Sequence, residues 1–266
     1  LGEMAFEHWV KNEFFQNMYA FEILMAPYIL GHIRVFLTLD SLGLNLNQEN
    51  YPLNSYLMNT LMTPPKNSNL DKWLFKNEDI GNEIKTALKI RDKREIFIIM
   101  GNPPYNLSSQ NDCEWINQKI DDYKEGLNER NLKILSDDYV KFLRFAQWKI
   151  DQVGIGIVAF ITNSRYLEGQ MYTIMRKSLR QTFDKIYIVD LHGDMRKKET
   201  GNVFDIRVGV AICFLVRTNI TQAKLADVYY YDIPFESKAE KFAELCQGFS
   251  FSKFQKLPET DRKSVV

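Results

Sequence analysis

An α/β fold, with a mostly parallel sheet, helices on both faces and an antiparallel hairpin at one edge, is what this sequence predicts. Three observations carry the prediction. Apolar runs of strand length alternate with segments of helical period along most of the chain. The Ile-rich run 96–100 has the length and composition of a strand buried on both faces. It stops at Gly101-Asn102-Pro103-Pro104, because neither proline has an N–H to donate to a ladder. Finally, about a dozen residues of non-helical pattern separate Asp190 from Phe204, too few for a crossover helix, so the strand near Val210 is expected to run antiparallel.

The elements follow in order. Residues 4–17 carry Phe6, Trp9, Val10, Phe14 and Phe15 at helical spacing. Residues 18–23 read as a short strand with Glu22 at its carboxyl end, and the next helix holds Pro27 in its first turn, where proline is tolerated. Ile29, Leu30, Ile33, Val35, Phe36, Leu37 and Leu39 give that helix a wide apolar face. A polar loop 41–52 leads to a strand 56–59, a Pro/Asn loop 63–74 and a helix 80–90. After the central strand, 106–132 is polar and long for a loop, which suits a flap. Ser136-Asp137-Asp138 is expected to cap a helix that Gly154 ends. Strand 155–162, helix 165–183 with Arg176, Lys177 and Arg180, strands 185–191, 211–216 and 228–232, and helix 237–245 complete the pattern. The lone histidines His32 and His192 suit structural roles.

The 266 residues suit one α/β domain, expected over 1–250, with a charged tail or the start of a following domain at 251–266. The chain is 45% hydrophobic and 26% charged, ordinary for a globular protein. A formal net charge of zero argues against strong non-specific nucleic-acid binding by this piece alone. Cys113, Cys213 and Cys246 show neither zinc spacing nor a disulfide framework, so no metal and a reducing cytoplasm are expected. The longest apolar runs are too short for a bilayer, so no membrane partner is expected.

The turn after the central strand has chemistry in it. The Asn102 amide and the Pro103 carbonyl are two oxygen acceptors held side by side, which suits an amino group with two hydrogens. Bonding both draws the nitrogen towards tetrahedral geometry and frees its lone pair to attack an electrophilic methyl group. No base is needed to remove a proton first. The flat Tyr105 ring suits stacking on a base. A proline-rich loop that merely turns the chain is the plainer alternative.

Asn102-Pro103-Pro104-Tyr105 after an apolar strand resembles the catalytic motif of amino-group methyltransferases, among them the adenine-specific DNA methyltransferases. Phe21-Glu22-Ile23 followed by Leu24-Met25-Ala26-Pro27-Tyr28 resembles most closely the methyltransferase part of large single-polypeptide restriction-modification enzymes. Leu57-Met58-Asn59-Thr60-Leu61, the run 156–164, Val203-Phe204 and the run 208–214 match later segments in the same order, over roughly residues 15–245. The resemblance implies a Rossmann-like methyltransferase sheet and methylation of the 6-amino group of a flipped adenine in double-stranded DNA, with S-adenosylmethionine as cofactor. It implies that Asn102, Pro103, Pro104 and Tyr105 are catalytic, that Glu22 holds the cofactor ribose and that Asn59 and the Thr60 backbone hold its adenine. Tyr105 and Phe204 would meet the target base, and Arg196, Lys197 and Lys198 the DNA backbone. Plainer alternatives stand beside these: a helix N-terminal carboxylate for Glu22, a strand-ending Asn59, a core Phe204 and a solvated charge run at 196–198. The family's glycine-rich first motif has no match before Glu22, so the chain is expected to be part of a larger restriction-modification polypeptide, not active alone. Methylation of a protein glutamine or an RNA base, and a non-catalytic module of the same fold, are the rival expectations.

Overall fold

The computed structural model describes residues 2–44, 46, 51–62, 78–107, 109, 111–127, 132–199, 201–218, 225–248 and 250–259. The chain divides into two compact units, residues 1–94 and 95–266. Each has a sheet of its own.

In the first unit, α1 (Glu3–Trp9) passes through a π-helical turn (Val10–Phe14) into α2 (Phe15–Asn17). Next come β1 (Ala20–Glu22), α3 (Met25–Ser41), β2 (Ser55–Leu57) and α4 (Glu78–Lys93). β1 and β2 pair in parallel with Glu22 opposite Leu57, so both strands end at the same edge. Val10, Phe15, Leu39 and Leu44 form the core, with Phe36 and Tyr51 packed against them. The wide apolar face expected of α3 divides: Leu39 is buried, whereas Ile29, Leu30, Ile33 and Leu37 are exposed. Glu83 of α4 accepts from the Leu57 N–H at 3.0 Å. Arg91, also on α4, donates to the Thr60 carbonyl at 3.2 Å and the Met62 carbonyl at 2.5 Å, fixing the chain after β2. The expected loop 63–74 lies outside the described residues.

The second unit contains β3 (Ile98–Gly101), α5 (Glu114–Asp121), α6 (Asp138–Val153), β4 (Ile155–Asn163) and α7 (Thr173–Thr182). β5 (Lys185–His192), β6 (Val210–Thr218), β7 (Asp227–Asp232), α8 (Lys238–Gln247) and β8 (Gln255–Lys256) follow. The sheet order is β3-β4-β6-β5-β7-β8. β3 and β4 are parallel, as are β5 and β7; β6 is antiparallel to both β4 and β5. The expected α/β class and mostly parallel sheet are therefore present. Helices also cover both faces. A Cβ on Gly156 of β4 would meet Ile150 of α6 at 2.6 Å on one side. On the other, Leu245 of α8 packs against Val189, Leu191, Tyr231 and Ile233.

Two placements differ from expectation. The antiparallel strand β6 is not at the margin but between β4 and β5, which suits a strand whose Val210, Ala211, Cys213 and Leu215 are all buried. The apolar run 96–100 is instead marginal: β3 is the first strand in the order, and Ile98 and Met100 are 63% and 71% exposed. An apolar run reports affinity for a sheet and does not report how many neighbours the strand has. Two helix boundaries also moved. The expected flap contains α5, whose Ile116 and Ile120 are buried at helical spacing. The expected helix 165–183 is two short 3₁₀ turns followed by α7, broken at Gly169. Gly154 ends α6 at φ +83°, as expected. No helix among the described residues is long and apolar enough to cross a membrane.

Candidate active site

The strongest candidate lies at the carboxyl end of β3, where an open α/β sheet binds ligands. β3 pairs with β4 up to Gly101, opposite Phe160. The ladder ends there because the two prolines cannot extend it. Asn102 and Pro104 are exposed, Pro103 is buried and Tyr105 is half-buried. The Tyr105 hydroxyl donates to the Asn102 amide oxygen at 3.5 Å, a long contact that leaves that acceptor open to a better donor. The Tyr105 ring stands edge-on to Tyr139 of α6, with centroids 6.1 Å apart, and Tyr139 leans in turn on Tyr166 at 6.2 Å. Burial pushes the Tyr105 hydroxyl well above the ordinary tyrosine value, and nearby Cys213 and Asp137 add to the shift. The ring is therefore a neutral phenol at physiological pH, fit for stacking and unfit as a base.

Helix α6 holds the chain that follows the turn. Asp137 sits at the N-cap position of α6, where its carboxylate accepts from the Asn106 N–H at 2.9 Å and also faces the Tyr139 N–H of the helix's first turn. The cap carboxylate thus serves the loop as well as the helix. Burial pushes the Asp137 carboxyl up, and the bond from Asn106 pulls it back only in part. Asp138 accepts from Ser109 at 2.5 Å and from the Asn111 amide at 2.7 Å. Lys141 donates to the Asn111 carbonyl at 2.6 Å and to the Ser109 hydroxyl at 3.1 Å. Sequence reasoning gave Asp138 a capping role only and missed Tyr139 and Lys141. The available signal was a lysine and a tyrosine at the positions of α6 where apolar residues face inward.

β5 runs parallel to β3, so its carboxyl end shares that sheet edge, as expected. His192 closes β5 at φ +57°, with its ring Nε2 at 2.5 Å from Asp232. Two internal ties organise the loop beyond it. Buried Lys241 donates to the Leu191 and Gly201 carbonyls at 2.8 and 2.9 Å, and the Asn202 amide donates to the Gly193 and Val208 carbonyls at 3.0 and 2.8 Å. Arg196 pairs with Asp194 at 2.9 Å and Lys197 with Glu168 at 3.2 Å, yet both side chains stay more than half exposed. Lys198, in the left-handed conformation at φ +61°, is exposed. Phe204 packs, partly buried, against the cluster of Val189, Leu191 and Val210. Arg176 is buried and donates to the Tyr166 and Gly169 carbonyls at 2.9 and 2.7 Å, a structural use.

The three residues expected at the cofactor lie in the first unit, at the shared edge of β1 and β2. One oxygen of Glu22 accepts from the Leu24 N–H at 2.8 Å, at the start of α3. Asn59 turns its carbonyl oxygen to the Leu61 N–H at 3.0 Å. Thr60 follows, held by Arg91. A carboxylate beside an amide on adjacent parallel strand ends suits a ribose diol and an adenine ring, so this donor set fits the adenosine part of S-adenosylmethionine.

No family model and no curated protein matches the chain. Solved structures do. The chain is 25% identical to the ATP-dependent Type ISP restriction-modification enzyme LlaBIII bound to DNA, with a TM-score of 0.76 over 93% of this chain and 17% of that one. It is 26% identical to DrdV in a DrdV–DNA complex, with a TM-score of 0.77 over 99% of this chain and 26% of that one. A nuclease-deletion mutant of the Type ISP restriction-modification enzyme LlaGI, with a DNA substrate mimic, shares the fold at 20% identity and a TM-score of 0.77, over 100% of this chain and 25% of that one. The chain thus spans about a quarter or less of the length of each of these proteins.

Proposed function

We propose that this chain carries the catalytic turn of an adenine-specific DNA methyltransferase in a restriction-modification enzyme. The observation that carries the reading is the turn itself: an exposed Asn102 amide and an edge-held, neutral Tyr105 ring at the carboxyl end of β3. The fold it shares with restriction-modification enzymes solved on DNA supports the choice of substrate.

The target adenine leaves the duplex at a cost of a few kcal/mol and stacks on Tyr105. Asn102 Oδ1 and the Pro103 carbonyl accept its two amino hydrogens, and Pro104 keeps the turn rigid. The nitrogen lone pair then points away from the ring as nucleophile. Glu22 would hold the cofactor's ribose hydroxyls, and Asn59 with the Thr60 backbone its adenine. Bound S-adenosylmethionine supplies an electrophilic methyl group. Phe204 offers a second apolar surface for the base, and Arg196, Lys197 and Lys198 offer cations to phosphates. Glu22, Asn59 and Thr60 address only the adenosine end, so this chain by itself should bind the cofactor weakly. Tight one-to-one binding by calorimetry would contradict that.

The test is to incubate the natural polypeptide carrying this sequence with labelled cofactor and DNA, digest the DNA to nucleosides and identify the modified one. Label on the 6-amino group of adenine is the expected result. Label on cytosine, or on protein or RNA with none in DNA, would overturn the reading.

A further inference from the structure

Helix α6 puts two charged side chains, Asp138 and Lys141, almost wholly out of solvent, at 4% and 2% exposure. Charged groups are rarely buried unless something specific answers them. Here the answer is the chain just beyond the catalytic turn. The Ser109 hydroxyl donates to Asp138 at 2.5 Å and accepts from Lys141 at 3.1 Å, so it bridges the pair. Asn111 meets both partners as well: its amide donates to Asp138 at 2.7 Å, and its carbonyl accepts from Lys141 at 2.6 Å. The Asn111 N–H closes the set on Ser109 Oγ at 3.1 Å. On either side of Asp138, the N-cap Asp137 takes the Asn106 N–H, and Tyr139 takes the Tyr105 ring. The first turn of α6 therefore grips the chain on both sides of a short stretch that begins at the base-stacking residue.

We propose that Asp138 and Lys141 are positioning residues for methyl transfer: by latching Ser109 and Asn111 to α6 they fix the turn from Asn102 to Tyr105 in the geometry that receives the amino group. The proposal rests on the function proposed above, and neither residue touches the substrate. A buried polar network with several mutual bonds suits this task, because it favours one arrangement and resists intermediates. Acceptor placement matters steeply, since a misplacement of about 1 Å can cost ~100-fold in rate.

The test loosens the latch from the loop side, which leaves the helix charges beside each other and the fold intact. Ser109→Ala/Asn111→Ala is made in the full chain, with Asp138→Asn as a conservative variant that keeps the acceptor Oδ1. Hydrogen exchange at the Asn106 amide is the first readout, because its own acceptor, Asp137, is untouched in every variant. Faster exchange at Asn106 in Ser109→Ala/Asn111→Ala, with an unchanged melting temperature and exchange nearer to wild type in Asp138→Asn, is expected. In the transfer assay kcat should fall ~10–100-fold while KM for the cofactor stays put. Unchanged exchange at Asn106 overturns the latch, whether or not the wild type transfers methyl groups. Faster exchange with wild-type kcat overturns its part in catalysis. A wild type that transfers no methyl group overturns the function proposed above, and the exchange result still decides the latch.

Discussion

In the proposed function Tyr105 works through its ring, and two substitutions separate ring from hydroxyl. Tyr105→Ala removes a stacking surface worth roughly 1–3 kcal/mol per base, so DNA with an extruded adenine should be held about tenfold more weakly or worse. Tyr105→Phe should keep most activity, because among the described residues the hydroxyl's hydrogen bond is the long one to Asn102. Activity lost equally in both, measured as single-turnover transfer, would assign the role to the hydroxyl. Asp137 gives a pH test. Burial raises its folded titration above the unfolded carboxylate value of about 3.9, so the fold favours its acid form. The stability this group contributes is complete below the unfolded value and is lost as pH rises through the raised folded value. Asp137→Asn keeps an oxygen for Asn106 and never ionises. Its melting temperature should therefore gain on wild type as pH rises from about 4 through the raised folded value, and a gap that is constant with pH would contradict this. At this scale the sequence is an uneven guide. The acceptor and stacking groups of the turn stand in consecutive positions and can be read directly. Asp138 and Lys141 answer Ser109 and Asn111 some thirty residues away, and no local pattern signals a partner at that distance.

Among the elements, β3 and β4 define the site, and Gly156 lets them meet. A Cβ there would lie 2.5 Å from the Phe97 carbonyl oxygen, which accepts the Ile157 N–H at 2.7 Å, and the backbone sits at φ +152°. Gly156→Ala should cost at least about 2 kcal/mol by overpacking and strain, read as a shift of the urea midpoint. An unchanged midpoint would contradict the close approach. The loop between β5 and β6 makes a second prediction. If Arg196, Lys197 and Lys198 meet phosphates, replacing all three with Ala should weaken DNA binding without altering sequence choice, and flatten the salt dependence. Arg196 and Lys197 already have acidic partners, Asp194 and Glu168, so an unchanged salt slope would assign the loop to internal pairing. Strand and helix identities along this region were legible because apolar spacing changes period between them. The order of strands was less so. The short connection made β6 antiparallel, but its insertion between β4 and β5 depends on which strand edges remain open when the hairpin folds back.

Each of the two compact units has its own sheet. The residues proposed for adenosine stand at the end of β1 and just after β2 of the first unit, and the proposed acceptor turn follows β3 of the second. The α/β class was legible from alternating periods, and the restriction-modification likeness from the turn together with the segment around Glu22. The division into two sheets was not, because pairing between distant strands leaves no local pattern. The central claim is that Asn102 accepts a hydrogen from the adenine amino group as the methyl group is transferred. Its most direct test is the single-turnover rate of methyl transfer to DNA by Asn102→Ala in the natural polypeptide, with melting temperature measured alongside. A contact that strengthens as charge develops is typically worth about 3 kcal/mol, so the rate should fall roughly a hundredfold with the melting temperature nearly unchanged. A rate equal to wild type, or a collapse in melting temperature that accounts for the loss, would contradict the claim.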